Sequence, residues 1–253
     1  MSTYYFLVTH GSRDPRPHLA QKQLAQLLGQ RLGQWGDQAP IVGAGTLELA
    51  RMPLHQQLEE FGKFSHRQGC DRIDVIPLFL LPGIHLMEDI PAEVRKAQQR
   101  LGSRVQLEIQ PYLGSHPALG KLFEQQKLRV ETQLQKQLAW ILLAHGSRRQ
   151  QGNHPVITLA EKLGAIPAYW SGIPDLKTQV RQLVHNEQTA IGILPYFLFS
   201  GGITDAIVRL VEEIREEFPP VEFYLGEPLD ISVDLADILV NLLTGSPVLP
   251  KSN

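Results

Sequence analysis

The sequence predicts an α/β protein of two tandem doubly wound domains, each a four-stranded parallel sheet flanked by helices, the second an internal duplicate of the first. Three observations predict it. Short apolar runs alternate with longer amphipathic segments, the signature of strands and helices in turn. The alternation completes four β-α units and then begins again. Short motifs also recur in the same order in both halves: "HGSR" at His10 and at His145, Pro53 and Pro174, "PLFL" at Pro77 and "PYFL" at Pro195, "YLG" at Tyr112 and at Tyr224. Four collinear matches mark a duplication. The offset between partners shrinks along the chain, so the second half lost residues around its first helix and again before its last strand.

The elements follow in order. "YYFLV" reads as the first strand and Pro17 to Leu32 as the first helix, followed by "IVGAGTLEL" as a strand and Pro53 to Gln68 as a helix. "RIDVIPLFLL", a helix from Asp89 to Leu101, "VQLEI" and a long polar helix from Pro117 to Gln137 complete the first half. The second half repeats the order, with strands in "WILLAHGSR", "AIPAYWSG", "AIGILPYFLF" and "VEFYLG". Its helices are expected at Val156 to Leu163, Asp175 to Val184, Thr204 to Phe218 and Val233 to Leu243. Right-handed crossovers between parallel strands place helices on both faces of each sheet. The expected domains are residues 1–136, carrying the active site, and 137–253, with a degenerate one.

Composition narrows the function. A chain of 253 residues with 43% hydrophobic and 20% charged residues has the length and apolar content for two packed cores. Its net charge of -2 gives no basic field of the kind that holds nucleic acid. A single cysteine, Cys70, can form neither an intramolecular disulfide nor a multi-cysteine metal site. The N-terminal "MSTYYFLVTHG" has no basic segment ahead of a leader-length apolar core, and no run reaches the roughly 18 apolar residues of a membrane span. The expected location is the cytoplasm.

Ligands of open parallel sheets bind beyond the carboxyl ends of the strands. That rim collects His10 after the first strand, Glu48 after the second, and His85, with Glu88 and Asp89, in the loop "LLPGIHLMED" after the third. Two imidazoles and a carboxylate suit a divalent first-row metal. Each residue also has a structural reading: a histidine at a strand end can serve as a hydrogen-bonded corner, and an acid in an apolar strand can be paired. Their convergence on one rim favours the functional one. Arg13, Arg51, Arg148 and Arg149 stand at the same rim beside helix starts, which suits an anionic ligand such as a polycarboxylate. In the second half His145 survives, but Tyr169 is expected opposite Glu48 when Pro53 is aligned with Pro174, and Ile203 or Gly202 stands where His85 would be. That half is expected to keep the fold without a complete reactive set.

Other motifs fail. "GAG" at 43 to 45 lacks the third glycine of a dinucleotide loop, because Glu48 stands there, and no hydrolase elbow or P-loop occurs. "LVTHG" is superficially similar to the "RHG" of histidine phosphatases but has Thr9 where those enzymes place arginine.

Taken together, "LVTHGSRDP", "LELA" ahead of a proline, "IPLFLLPGIHLMEDIP", "YLGSHP" and "PYFLFSGGITDAI" resemble the class II tetrapyrrole chelatases of the sirohydrochlorin type, in their long two-domain form. The resemblance covers nearly the whole chain. It implies flavodoxin-like, chelatase-like domains and ATP-independent insertion of Fe²⁺ or Co²⁺ into sirohydrochlorin, in siroheme or cobalamin synthesis. The metal, with Ni²⁺ as a third candidate, is then a substrate, and no cofactor is permanently bound. The family's metal-handling groups carry over to His10, His85 and Glu48. Expected substrate contacts are Gly11, Ser12, Arg13, Arg51, Leu81, Pro82, Gly83, His145 and Arg148, with Pro77, Phe79, Leu80 and Leu81 as an apolar wall. A monomer is expected, its two halves serving as a pseudo-dimer. A non-catalytic tetrapyrrole or metal carrier needs the same ligands and stays open as the rival reading, with a histidine phosphatase more distant.

Overall fold

Strands and helices alternate throughout a computed structural model that describes residues 2–34, 39–147 and 151–245. The first sheet comprises β1 (Ser2–Thr9), β2 (Val42–Thr46), β3 (Cys70–Pro77) and β4 (Gln106–Ile109). Between these lie α1 (Pro15–Gly33), α2 (Leu54–Arg67) and α3 (Ile90–Leu101). After α4 (Leu119–Leu134) the order restarts with β5 (Ala139–Ala144), α5 (His154–Leu163), β6 (Ala165–Tyr169) and α6 (Leu176–His185). It ends with β7 (Ala190–Tyr196), α7 (Gly202–Glu217), β8 (Glu222–Leu225) and α8 (Val233–Thr244).

All pairings are parallel, in the orders β2-β1-β3-β4 and β6-β5-β7-β8. The chain steps outward from β1 to β2, then crosses back to β3 on the other side. The topological switch therefore falls between β1 and β3, where doubly wound sheets open a crevice at their carboxyl ends. Side chains alternate along β1 as a strand requires: Phe6 and Val8 join Leu54 and Leu58 of α2 and Ile90, Val94 and Ala97 of α3 in one core. Leu7, on the opposite face, is fully buried, as are Leu24 and Leu28 of α1.

By packing, the chain divides into two units: Met1–Pro117 with Ile231–Asn253, and Ala118–Asp230. The β-α order restarts at β5, whereas in these packing units the last helix of each half joins the other unit. In the second unit, the Phe123 ring of α4 stands 5.3 Å from that of Tyr196 and Lys127 Nζ donates to the Leu163 carbonyl at 2.8 Å. In the first unit, α8 packs on α1, and Arg31 meets Asp237 through Nε and Nη2 at 2.6 and 2.8 Å. Each sheet thus keeps four helices, one of them supplied by the other repeat.

Two short turns were not anticipated. A π turn spans His85–Asp89 and a 3₁₀ turn spans Leu113–Ser115, so the segment expected as a loop around His85 is helical and runs directly into α3.

Candidate metal centre

The backbone at the end of β1 begins the site. Gly11 has φ of +109°, in the region that favours glycine, and a Cβ there would collide with the carbonyl oxygen of Glu48. This absence of a side chain lets the two strand ends close on each other. The Leu47 N–H donates to the Thr9 carbonyl at 2.9 Å and the Glu48 N–H to the His10 carbonyl at 2.8 Å. His10 and Glu48 are thereby fixed through main chain.

Neighbouring side chains brace the same corner. Gln57 of α2 donates to the carbonyls of Thr46 and Met52 and accepts from the Thr46 N–H, while the Thr46 hydroxyl donates to the Glu48 carbonyl at 3.0 Å. Buried Gln21 of α1 donates to the carbonyls of Leu7 and Gly45, tying β1 to β2 just below the rim. The His55 N–H and ring Nδ1 both meet Glu93 Oε2, at 3.0 and 2.7 Å, which locks the start of α2 to the start of α3. Burial pushes the Glu93 carboxyl up, but hydrogen bonds from Lys96 and His55 outweigh it and hold the group down at about 2.

On this frame His10, Glu48 and His85 come together, with one ligand atom from each within 4.8 Å of the others. The Nε2 atoms of His10 and His85 lie 3.2 Å apart and the rings meet edge to face, with centroids 4.7 Å apart. Glu48 Oε2 is 3.9 Å from His10 Nε2, and its Oε1 is 4.0 Å from His85 Nδ1. All three side chains are substantially exposed, so the cluster is open to an incoming ligand. Among the described residues this is the sole group of three or more such ligands. The sequence places Asp89 on the rim but gives it no role; its Oδ2 is 2.8 Å from His85 Nδ1. The signal available was its i,i+4 spacing from His85.

The other expected positions are distributed as follows. Ser12 Oγ accepts the Asp14 N–H at 3.0 Å at the entry to α1. Arg13 and Arg51 are exposed, and Leu81, Pro82 and Gly83 are half-buried just before the π turn. Arg148 and Arg149 lie outside the described residues. Part of the expected apolar wall faces the core: Pro77 is buried at the end of β3, paired with Val8, and Phe79 packs against the first core, while Leu80 and Leu81 are half-buried. Further apolar side chains adjoining the triad in sequence are exposed: Leu49 (58%), Ile84 (47%) and Met87 (64%). Leu49 holds φ of +59°, a left-handed conformation that costs a branched residue roughly 1–2 kcal/mol.

The second half also needs one correction. β6 sets Tyr169 beside Ala144, the position of Thr46 beside Thr9, and the Ser171 N–H donates to the His145 carbonyl at 2.8 Å. The counterpart of Glu48 is therefore Ser171 and not Tyr169. Aligning on the prolines misplaced it because the second half has two fewer residues between its strand end and Pro174. Where His85 would be stands exposed Ile203, followed by Thr204, whose hydroxyl bonds the Gly201 backbone and caps α7.

The sequence profile of the CbiX family matches residues 4–129 and 139–245. The chain belongs to the CbiX family. A sirohydrochlorin ferrochelatase from Priestia megaterium is 24% identical over 208 residues, spanning 79% of this chain and 76% of that protein. A sirohydrochlorin cobaltochelatase from the same organism is 23% identical over 230 residues, spanning 87% and 72%. SirB from Bacillus subtilis with Fe³⁺ superposes with a TM-score of 0.77 at 22% identity, over 98% of this chain and 96% of that one, and shares the fold of two four-stranded parallel sheets. The CbiX match runs through both halves.

Proposed function

We propose that this CbiX-family chain is a metal chelatase, a lyase that inserts Fe²⁺ or Co²⁺ into sirohydrochlorin without ATP, with His10, His85 and Glu48 receiving the metal. The observation that carries the reading is the triad: an open cluster of two imidazoles and a carboxylate at the switch point of a sheet. The names of the relatives, ferrochelatase and cobaltochelatase at nearly equal identity, supply the substrate class.

The geometry suits the chemistry. At the roughly 2.1 Å usual for imidazole–metal bonds, two nitrogens on one ion lie about 3.0–3.4 Å apart, which brackets the 3.2 Å between the Nε2 atoms. Insertion releases two pyrrole protons as the ion enters the macrocycle. A ring nitrogen cannot hold the metal and accept a proton at the same time, so transfer of the metal frees the histidines to take those protons in turn. Glu48 offsets part of the ion's charge while it waits. Arg13 and Arg51, exposed on the same rim, would meet the acidic arms of the substrate, and Leu49, Ile84 and Met87 its apolar face. The metal is substrate here, with no resident cofactor. The finer reading is a cytoplasmic monomer with one site, for which light scattering should return the mass of a single chain.

The test mixes the protein with sirohydrochlorin and Fe²⁺, Co²⁺ or Ni²⁺ in turn and follows the absorption of the macrocycle. Catalytic acceleration of insertion over the spontaneous rate is expected. Stoichiometric binding without acceleration would sink the proposal in favour of a carrier.

A further inference from the structure

We propose that Asp89 is a positioning residue for the metal site: through His85 Nδ1 it fixes the tautomer that turns the Nε2 lone pair toward His10. The inference rests on the triad reading above and adds a fourth residue to it.

Three independent observations converge. The first is the contact itself. An ionised carboxylate can only accept, so at 2.8 Å from Asp89 Oδ2 the proton of a neutral His85 ring lies on Nδ1. Nε2 is then a bare lone pair, and it is this atom that stands 3.2 Å from His10 Nε2. A carboxylate behind a ligating imidazole also raises its basicity toward a metal.

The second observation is what Asp89 does not do. It occupies the N-cap position of α3, where aspartate ordinarily bonds the free N–H groups of the first turn, yet its side chain makes no capping hydrogen bond. The π turn already runs into α3, and the Ile90 N–H donates to the His85 carbonyl. Asp89 therefore sits inside continuous helix, where aspartate is a poor former. Among the described residues its recorded partner is His85.

The third is an insertion. Val8 pairs with Pro77 as Leu143 pairs with Pro195, and both Ile90 and Ile207 are buried as the first core residue of their helices. Ile90 lies thirteen residues beyond Pro77, whereas Ile207 lies twelve beyond Pro195. The first half holds one extra residue in this stretch, and the π turn His85–Asp89 is where a helix absorbs it. The uninterrupted counterpart in the second half has no histidine, and with Ile207 set on Ile90 its residue in the place of Asp89 is Ala206, Asp205 falling one position earlier.

The test needs no mutation to begin. Long-range ¹H–¹⁵N spectra of the intact protein at pH 8, without metal, should show His85 protonated on Nδ1; protonation on Nε2 would overturn the proposal. Co²⁺ alone, followed by its visible absorption, then compares variants. Asp89→Ala should weaken Co²⁺ binding about 10–100-fold and raise the KM for metal while leaving that for sirohydrochlorin unchanged. Asp89→Asn, whose side-chain oxygen can accept the same proton, should recover most of the loss. Unaltered Co²⁺ binding in Asp89→Ala, or no recovery in Asp89→Asn, would overturn it. His10→Ala separates the two readings: if it leaves Co²⁺ binding intact, the triad and the role of Asp89 fall together. If it abolishes binding while the Asp89 variants bind like the parent, the role of Asp89 alone falls.

Discussion

His10 and Glu48 are neighbours because of a residue that contributes no side chain. Any substitution of Gly11 must move the Glu48 carbonyl or strain a positive φ, so Gly11→Ala should lower thermal stability by about 1–3 kcal/mol and also cut Co²⁺ affinity. The paired melt and titration check this; an unchanged affinity would mean the corner tolerates displacement. Within the triad, His10→Ala and His85→Ala should abolish insertion, whereas His145→Ala should only weaken it, because the positions matching Glu48 and His85 carry Ser171 and Ile203, neither a carboxylate nor an imidazole. Equal loss from all three would assign chemistry to both halves. The triad was legible in sequence because strand ends of a parallel sheet meet at one rim whatever their separation along the chain. The mismatch of Tyr169 with Glu48 was not, because main-chain pairing, and not the nearest proline, sets the register of a strand end.

The π turn and the helix starts govern how well these residues are held. Deleting Met87, which is largely exposed, should let the turn relax to the regular helix seen in α7. The expected variant melts within a few degrees of the parent but binds Co²⁺ at least about tenfold more weakly. Retention of full affinity would show that the turn is incidental. The His55–Glu93 link adds a pH dependence. A carboxyl held down at about 2 when folded, against 4.5 ordinarily, contributes stability that is complete above about 4.5 and is lost as pH falls toward 2. Glu93→Gln should therefore lower the melting temperature at pH 7 and flatten its decline below pH 4.5, as acid scans of both proteins would reveal. All the strands and helices were legible as periodicity. The π turn was not, because one extra residue in an apolar segment leaves no periodic trace until the buried faces of α3 and α7 are compared.

At the scale of the whole molecule, the repeat and the packing unit are different objects. Periodicity identified the repeat, but which sheet a terminal helix joins depends on surfaces that no local pattern records. Removing α8 by ending the chain at Asp230 strips Leu235, Ile238, Leu239 and Val240 from the first unit, along with the partner of Arg31. At roughly 1.5–3 kcal/mol for each large apolar side chain, that loss rivals the 5–15 kcal/mol by which domains are ordinarily stable. The truncated protein should lose its cooperative melt or aggregate; an intact melt of the first unit would show α8 to be dispensable. The second unit, by contrast, is one unbroken stretch from Ala118 to Asp230. During synthesis its last residue emerges before α8 exists, so it can close first, while the unit that holds His10, Glu48 and His85 waits for the final helix. Residues translated ahead of the second unit are thus enclosed after it, and a chain interrupted between Asp230 and α8 carries the triad on an unfinished fold.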